Sequence, residues 1–194
     1  MQVKFHKYQG TGNDFVILDN RKGEYSSLSN DQVRRLCDRR LGIGADGLMM
    51  LNGKSGYDFE MKYYNADGGE SSMCGNGSRC IVKFVYNLGI HRSLYKFVAV
   101  DGEHEAEIDT DGTVSVKMID VDTVKKVRGD FVLNTGSPHY IKLVNDVMDI
   151  DVYKKGRDIR YSKDYEESGI NVNFVEQTND DKDHCKNIRK RSGG

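Results

Sequence analysis

Cys74 sits in the polar, glycine-rich run Asn65-Ala66-Asp67-Gly68-Gly69-Glu70-Ser71-Ser72-Met73-Cys74-Gly75-Asn76-Gly77, and an apolar helical pattern of Ile81, Val82, Phe84, Val85 and Leu88 follows. A thiol at the start of a helix faces backbone N–H groups that have no intrahelical partner, and such groups favour a thiolate. A thiol in that setting can act as a base or a nucleophile near neutral pH. The other cysteines read differently. Cys37 falls four residues after Val33 on one helical face, and Cys80 lies one to two turns into the helix behind Cys74, so both read as small core residues. Cys185, in Asp183-His184-Cys185-Lys186-Asn187, has no glycine turn and no helix behind it.

The elements that must position Cys74 alternate short strands with helices. Residues 3–9 and 15–19 read as strands around the turn Gly10-Thr11-Gly12-Asn13-Asp14. Ser29 with Gln32 makes a capping box for a helix that carries Val33, Leu36 and Cys37 on one side and is closed by Gly42-Ile43-Gly44. Strand patterns return at 48–51 and 57–64, and the helix behind Cys74 reaches about residue 88. Residues 94–100, 105–108 and 114–118 read as strands joined by Asp-Gly turns.

The second half restarts the pattern. Thr135-Gly136-Ser137-Pro138-His139-Tyr140 echoes Thr11-Gly12-Asn13-Asp14-Phe15, since each sets a Thr-Gly turn and polar residues before an aromatic. A helix from about 152 and a strand at 172–175 extend the likeness, which is a faint internal repeat. The reading is an α/β (α+β) chain of two similar domains, residues 1–118 and 119–194.

Composition narrows the function classes. With 29 basic and 30 acidic residues the net charge is -1, which leaves no footprint for nucleic acid or for an anionic membrane. No apolar run approaches the roughly 20 residues of a membrane span, and the first residues lack a signal-peptide core. A cytoplasmic protein with free thiols is expected from four cysteines without a secretory segment. A metal site built from Cys74, Cys80 and His139 is the weakest alternative, because Cys-x₅-Cys is not a usual zinc spacing.

Four motifs, in order and spacing, resemble the diaminopimelate epimerase family: Gly10-Thr11-Gly12-Asn13-Asp14-Phe15, Gly42-Ile43-Gly44-Ala45-Asp46-Gly47, Tyr64-Asn65-Ala66-Asp67-Gly68 and Met73-Cys74-Gly75-Asn76-Gly77-Ser78-Arg79-Cys80. The resemblance runs from Met1 to about Arg189. It implies two domains, each a sheet wrapped around a central helix, with the active site between them. It also implies cofactor-free interconversion of LL- and meso-diaminopimelate, with a small molecule as partner, no cofactor, no metal and a possible homodimer. In the family one thiol removes the α-proton and a second returns a proton to the opposite face. The first maps to Cys74. Asn13, Asn65, Gly75, Asn76 and Asn171 match substrate-binding positions, and His139 matches a histidine that tunes the thiols.

The chain departs from the family at three places. Ser137 stands where an asparagine is usual, and Gly47 where many members carry a glutamine. After Ile188-Arg189 the family continues to a second Cys-Gly-Thr-Gly turn, whereas these residues read Lys190-Arg191-Ser192-Gly193-Gly194. The second domain is therefore expected to be incomplete and the epimerase activity of this chain to be impaired. An inactive amino-acid-binding paralogue and a proline or hydroxyproline racemase-type enzyme are the alternatives.

Overall fold

The computed structural model describes residues 2–71, 73–177 and 183–188, the last as a backbone strand. The chain divides into two compact units, Met1–Met118 and Ile119–Arg191. In chain order the first unit comprises β1 (His6–Gly10), β2 (Asn13–Asp19), α1 (Asn30–Cys37), β3 (Gly47–Asn52), β4 (Phe59–Asn65), β5 (Glu70–Ser71), α2 (Gly75–Asn87), β6 (Leu94–Ala99), β7 (Gly102–Ile108) and β8 (Val114–Val116).

The composition of α2 dictates the shape of this unit. Gly77, Ser78, Cys80, Ile81, Val82, Phe84 and Val85 are all buried, so the helix has apolar residues on several sides and must be covered on several sides. One sheet does this. Its strands run β1-β2-β3-β4-β6-β7-β8, with β5 added to β4. The helix packs on both end strands, β1 and β8, and on β2, β3 and β7 between them, which requires the sheet to curl around it.

Strands β2 and β3 are apolar on both faces, and both faces are used. Phe15, Ile17, Met49, Leu51, Met61 and Tyr63 point toward the α2 core. Val16, Leu18, Leu48, Met50 and Tyr64 form a second core with Val33 and Cys37 of α1 on the other side. This explains the continuous runs Phe15-Val16-Ile17-Leu18 and Leu48-Met49-Met50-Leu51, which belong to parallel, doubly covered strands. Where β4 pairs with β6, Phe59 stacks on Phe97 with centroids 4.9 Å apart.

The capping box forms as its sequence indicates. Ser29 Oγ accepts from Gln32 N–H at 3.3 Å, and Gln32 Oε1 accepts from Ser29 N–H at 2.9 Å. Strand β1 begins only at His6, later than the alternation suggests, because the Lys4 N–H donates to the Tyr25 hydroxyl (3.0 Å) instead of joining the ladder.

The second unit contains β9 (Lys125–Val127), β10 (Asp130–Asn134), β11 (Pro138–Leu143), α3 (Val152–Arg160), β12 (Asn171–Gln177) and β13 (Asp183–Ile188). Its sheet runs β13-β12-β11-β10-β9. Tyr140, Val147, Ile170, Val172 and Phe174 form its core. Buried Asp130 accepts hydrogen bonds from Tyr140 Oη (2.6 Å) and Lys142 Nζ (2.8 Å), which satisfies its charge.

The internal repeat is visible in the pairing. An antiparallel hairpin, a helical crossover to a parallel strand and a further antiparallel strand make β1-β2-α1-β3-β4. The same senses recur in β10-β11-α3-β12-β13. Among the described residues, no helix is long and apolar enough to cross a membrane.

One glycine ties the turn before Cys74 to α1. Gly68 has φ +88°, and a Cβ there would lie 2.0 Å from the Asn30 carbonyl oxygen. Gly68→Ala is therefore expected to destabilise the first unit by about 1–3 kcal/mol, the cost of a strained backbone before the clash is counted. The urea midpoint should fall. Gly53→Ala, with nothing within 4 Å of its Cβ, should leave it in place, and equal behaviour of the two variants would contradict the packing described.

Candidate active site

Three strand ends and the start of α2 meet at one end of the first unit. Phe15, Gly47 and Asn65 lie in register across β2, β3 and β4, so Asn13, Asp46 and Asn65 gather at the same end of the sheet. Cys74 is the N-cap of α2, with an extended backbone (φ -118°, ψ 115°), and its side chain caps no N–H group. Its carbonyl accepts the Ser78 N–H at 2.7 Å. The N–H groups of Gly75, Asn76 and Gly77 are thus left without an intrahelical partner, beside the thiol, where an anionic group would be favoured.

The half-buried thiol of Cys74 donates to Asn13 Oδ1 at 3.8 Å. Asn13 Nδ2 donates to Asp46 Oδ2 at 2.7 Å, and Asp46 Oδ1 accepts from Arg39 Nη2 at 2.8 Å. Arg39 also clasps Asp14 with both terminal nitrogens, at 3.0 and 2.7 Å, and Lys7 adds a further ion pair at 3.0 Å. The Arg39 guanidinium, with help from Lys7, holds the Asp14 carboxyl well below the usual carboxylate range.

Close backbone contacts fix the helix start against the β1–β2 turn. A Cβ on Gly10 would lie 3.2 Å from the Asn76 carbonyl oxygen and 3.3 Å from Cys80 Sγ. A Cβ on Gly77 would lie 3.1 Å from Met49 Sδ. The Asn76 side-chain oxygen accepts from Arg79 Nη2. Gly47 has its own reason to lack a side chain: a Cβ there would meet both Tyr63 Cε2 and the Tyr64 carbonyl oxygen at 2.6 Å. The ring of Tyr63 occupies the space that a larger residue at 47 would need.

The remaining thiols of this unit are structural. Burial pushes both Cys37 and Cys80 up to about 11, which keeps them protonated and inert at neutral pH. Among the described residues no group of three or more His, Cys, Asp or Glu side chains is placed to hold a metal ion.

In the second unit His139 and Asn171 face each other in register on β11 and β12. The side chain that reaches His139 belongs to Asn173, two residues on: its Nδ2 lies 3.0 Å from His139 Nδ1 and also donates to the Tyr140 carbonyl at 3.3 Å. The carbonyl can only accept, so Nδ2 is the donor and Nδ1 the acceptor, which puts the imidazole proton on Nε2. Burial lowers the His139 pKa from its ordinary value. Ser137 forms part of the β10–β11 turn, its carbonyl accepting the Thr135 N–H at 3.1 Å.

Sequence reading named Asn13 and Cys74 but passed over Asp14, Arg39, Asp46, Tyr63 and Asn173. A signal was present for two of them. Asp14 and Asp46 sit inside the same glycine-rich motifs that carry Asn13 and Gly47, whereas Arg39 joins them only through tertiary contact.

The fold has solved counterparts. A Bacillus anthracis phenazine biosynthesis protein of the PhzF family superimposes with a TM-score of 0.71 at 16% identity, covering 96% of this chain and 71% of that one. A hydroxyproline epimerase from Agrobacterium vitis gives a TM-score of 0.60 at 11% identity, covering 93% and 68%. The protein is thus an α+β protein with the curled-sheet fold of these structures. The family model described as diaminopimelate epimerase matches residues 5–124. The diaminopimelate epimerase of Flavobacterium psychrophilum is 45% identical over 176 residues, 91% of this chain and 69% of the relative. That of Chlorobaculum tepidum is 41% identical, over 87% and 68%. The chain belongs to the diaminopimelate epimerase family, whose members are isomerases of the racemase and epimerase type.

The half-buried His139 gives the second unit a pH dependence. A histidine whose folded pKa is lowered binds fewer protons folded than unfolded, so its contribution to stability is complete above about 6.5 and is lost as pH falls below that value. Amide exchange protection in β11 and β12 should drop between pH 7.5 and 5. His139→Gln, which keeps an acceptor for Asn173, should flatten that dependence, and an equal drop in both proteins would refute the assignment.

Proposed function

We propose that the chain acts on diaminopimelate as a cofactor-independent epimerase, with Cys74 as one of two acid/base thiols that interconvert the LL and meso forms. The single observation that carries this is the uncapped start of α2, where the Cys74 thiol and the N–H groups of Gly75, Asn76 and Gly77 share one turn. An amino acid whose α-carboxylate docks on those N–H groups presents its α-carbon to the thiol. The N–H groups then also stabilise the negative charge that spreads onto the carboxylate as the proton leaves. Asn13 and Asn65 stand at the same end of the sheet and can read polar groups of the substrate without adding charge.

Inversion needs a proton donor on the opposite face. On the strength of the family resemblance we assign Asn171 to substrate binding and His139 to tuning the thiols. The 194 residues themselves hold one Cys-Gly-Asn-Gly turn and no Cys-Gly-Thr-Gly turn. Removing either acid/base group is expected to cost inversion about 10²- to 10⁴-fold. We place the reaction in the cytoplasm, which suits unbridged thiols at Cys37, Cys74 and Cys80.

Incubating the chain with LL-diaminopimelate in D₂O tests the reading. Deuterium should enter the α-carbon, and the uptake should vanish in Cys74→Ala. Uptake that persists in Cys74→Ala, or preference for proline or hydroxyproline over diaminopimelate, would overturn it.

A further inference from the structure

We infer that Asp46 is a positioning residue for the Cys74 thiol, acting through the side-chain amide of Asn13. The inference rests on the reading of Cys74 as an acid/base thiol, but the contacts themselves do not depend on a substrate. An asparagine amide can present either its oxygen or its nitrogen to a neighbour, and the two ends have opposite effects on a thiol. An oxygen accepts the S–H proton and favours the thiol; an N–H donor favours the thiolate.

Asp46 makes the choice. Its carboxylate can only accept, so the Asn13 group 2.7 Å away must be the Nδ2 donor, and Oδ1 is thereby turned toward Cys74 Sγ at 3.8 Å. Asp46 is itself held from several sides. Arg39 Nη2 donates to Oδ1 at 2.8 Å, the Asp14 N–H reaches Oδ2 at 3.3 Å, and the Asp46 N–H donates to both the Asp14 carbonyl and its Oδ1 at 3.0 Å. Arg39 cannot leave easily, because Asp14 grips it with both carboxylate oxygens. Arg39, Asp46 and Asn13 thus form a chain of fixed polarity that ends on the sulfur. Under the proposed mechanism the Cys74 S–H stays in this hydrogen bond until a carboxylate-bearing substrate arrives and displaces the Asn13 contact.

The test is the alkylation rate of Cys74 by iodoacetamide at fixed pH, read by mass spectrometry of its peptide. Asp46→Ala releases the Asn13 amide and should raise the rate by about 2- to 10-fold, the range that one neutral hydrogen bond spans. Asn13→Ala should raise it by a similar factor, and the double variant should match the single ones rather than multiply them. Asp46→Asn keeps an oxygen that both Asn13 Nδ2 and the Asp14 N–H select but turns its own Nδ2 against the Arg39 guanidinium, so its rate should lie between those of the unaltered chain and Asp46→Ala. If Asp46 acted only by its charge, Asp46→Asn would behave like Asp46→Ala.

Unchanged slow labelling of buried Cys37 and Cys80 certifies that each variant is folded. A measurement on the unaltered chain stands independently of the variants: the Asn13 side-chain amide should show protons protected from solvent exchange by NMR. An unaffected alkylation rate in folded Asp46→Ala, multiplicative effects in the double variant, or a rapidly exchanging Asn13 amide would each overturn the inference. Failure of diaminopimelate exchange with these alkylation results intact would instead overturn the proposed reaction and leave the positioning role standing.

Discussion

The first unit depends on a helix that cannot be left with an exposed apolar face. Ile81, Val82, Phe84 and Val85 point in too many directions for a flat sheet to cover, so β1 through β8 curl until both ends of the sheet touch α2. Burying such side chains contributes roughly 1.5–3 kcal/mol each, far more than the cost of bending a sheet whose strands twist anyway. The functional consequence is geometric. A helix locked inside a sheet has a fixed N-terminus, and Cys74 is its N-cap.

Polar contacts then set what the thiol faces. Backbone approach at Gly10 and Gly77 leaves little freedom at the first turn, and Met49 fills the space behind it. In front, a network of one arginine, one lysine and two aspartates surrounds the β2 start and orients Asn13. The network is half exposed, so its ion pairs contribute little to stability by themselves. Their value lies in direction: each donor and acceptor has one compatible orientation, and the last one in the chain touches sulfur. The same economy appears in the second unit, where the Tyr140 carbonyl fixes Asn173 and Asn173 fixes the tautomer of His139.

Much of this was legible in the sequence where it is local. The Ser29 and Gln32 capping box, the helix behind Cys74 and the Thr-Gly hairpin echo are encoded within a few residues each, and all three form. The short strands β5, β9 and β13 were not legible. Glu70–Ser71, Lys125–Val127 and Asp183–Ile188 have no clear apolar alternation and become strands because an edge is there to receive them. The site divides the same way. Cys74 and Asn13 announce themselves in glycine-rich motifs, but the bond from Asn13 to Asp46 spans 33 residues of sequence and exists only once β2 and β3 lie side by side. Gly47 is the clearest case of a departure explained by structure, since Tyr63 on the neighbouring strand takes the space.

The central claim is that the turn at Cys74 is where diaminopimelate docks, and differential labelling tests it most directly. The chain would be treated with a limiting thiol reagent with and without saturating LL-diaminopimelate, and each cysteine peptide quantified. The account predicts that Cys74 labels far faster than Cys37 or Cys80 and that diaminopimelate slows Cys74 alone. Labelling of Cys74 that diaminopimelate leaves unchanged, or a Cys74 no more reactive than the two buried thiols, would contradict it.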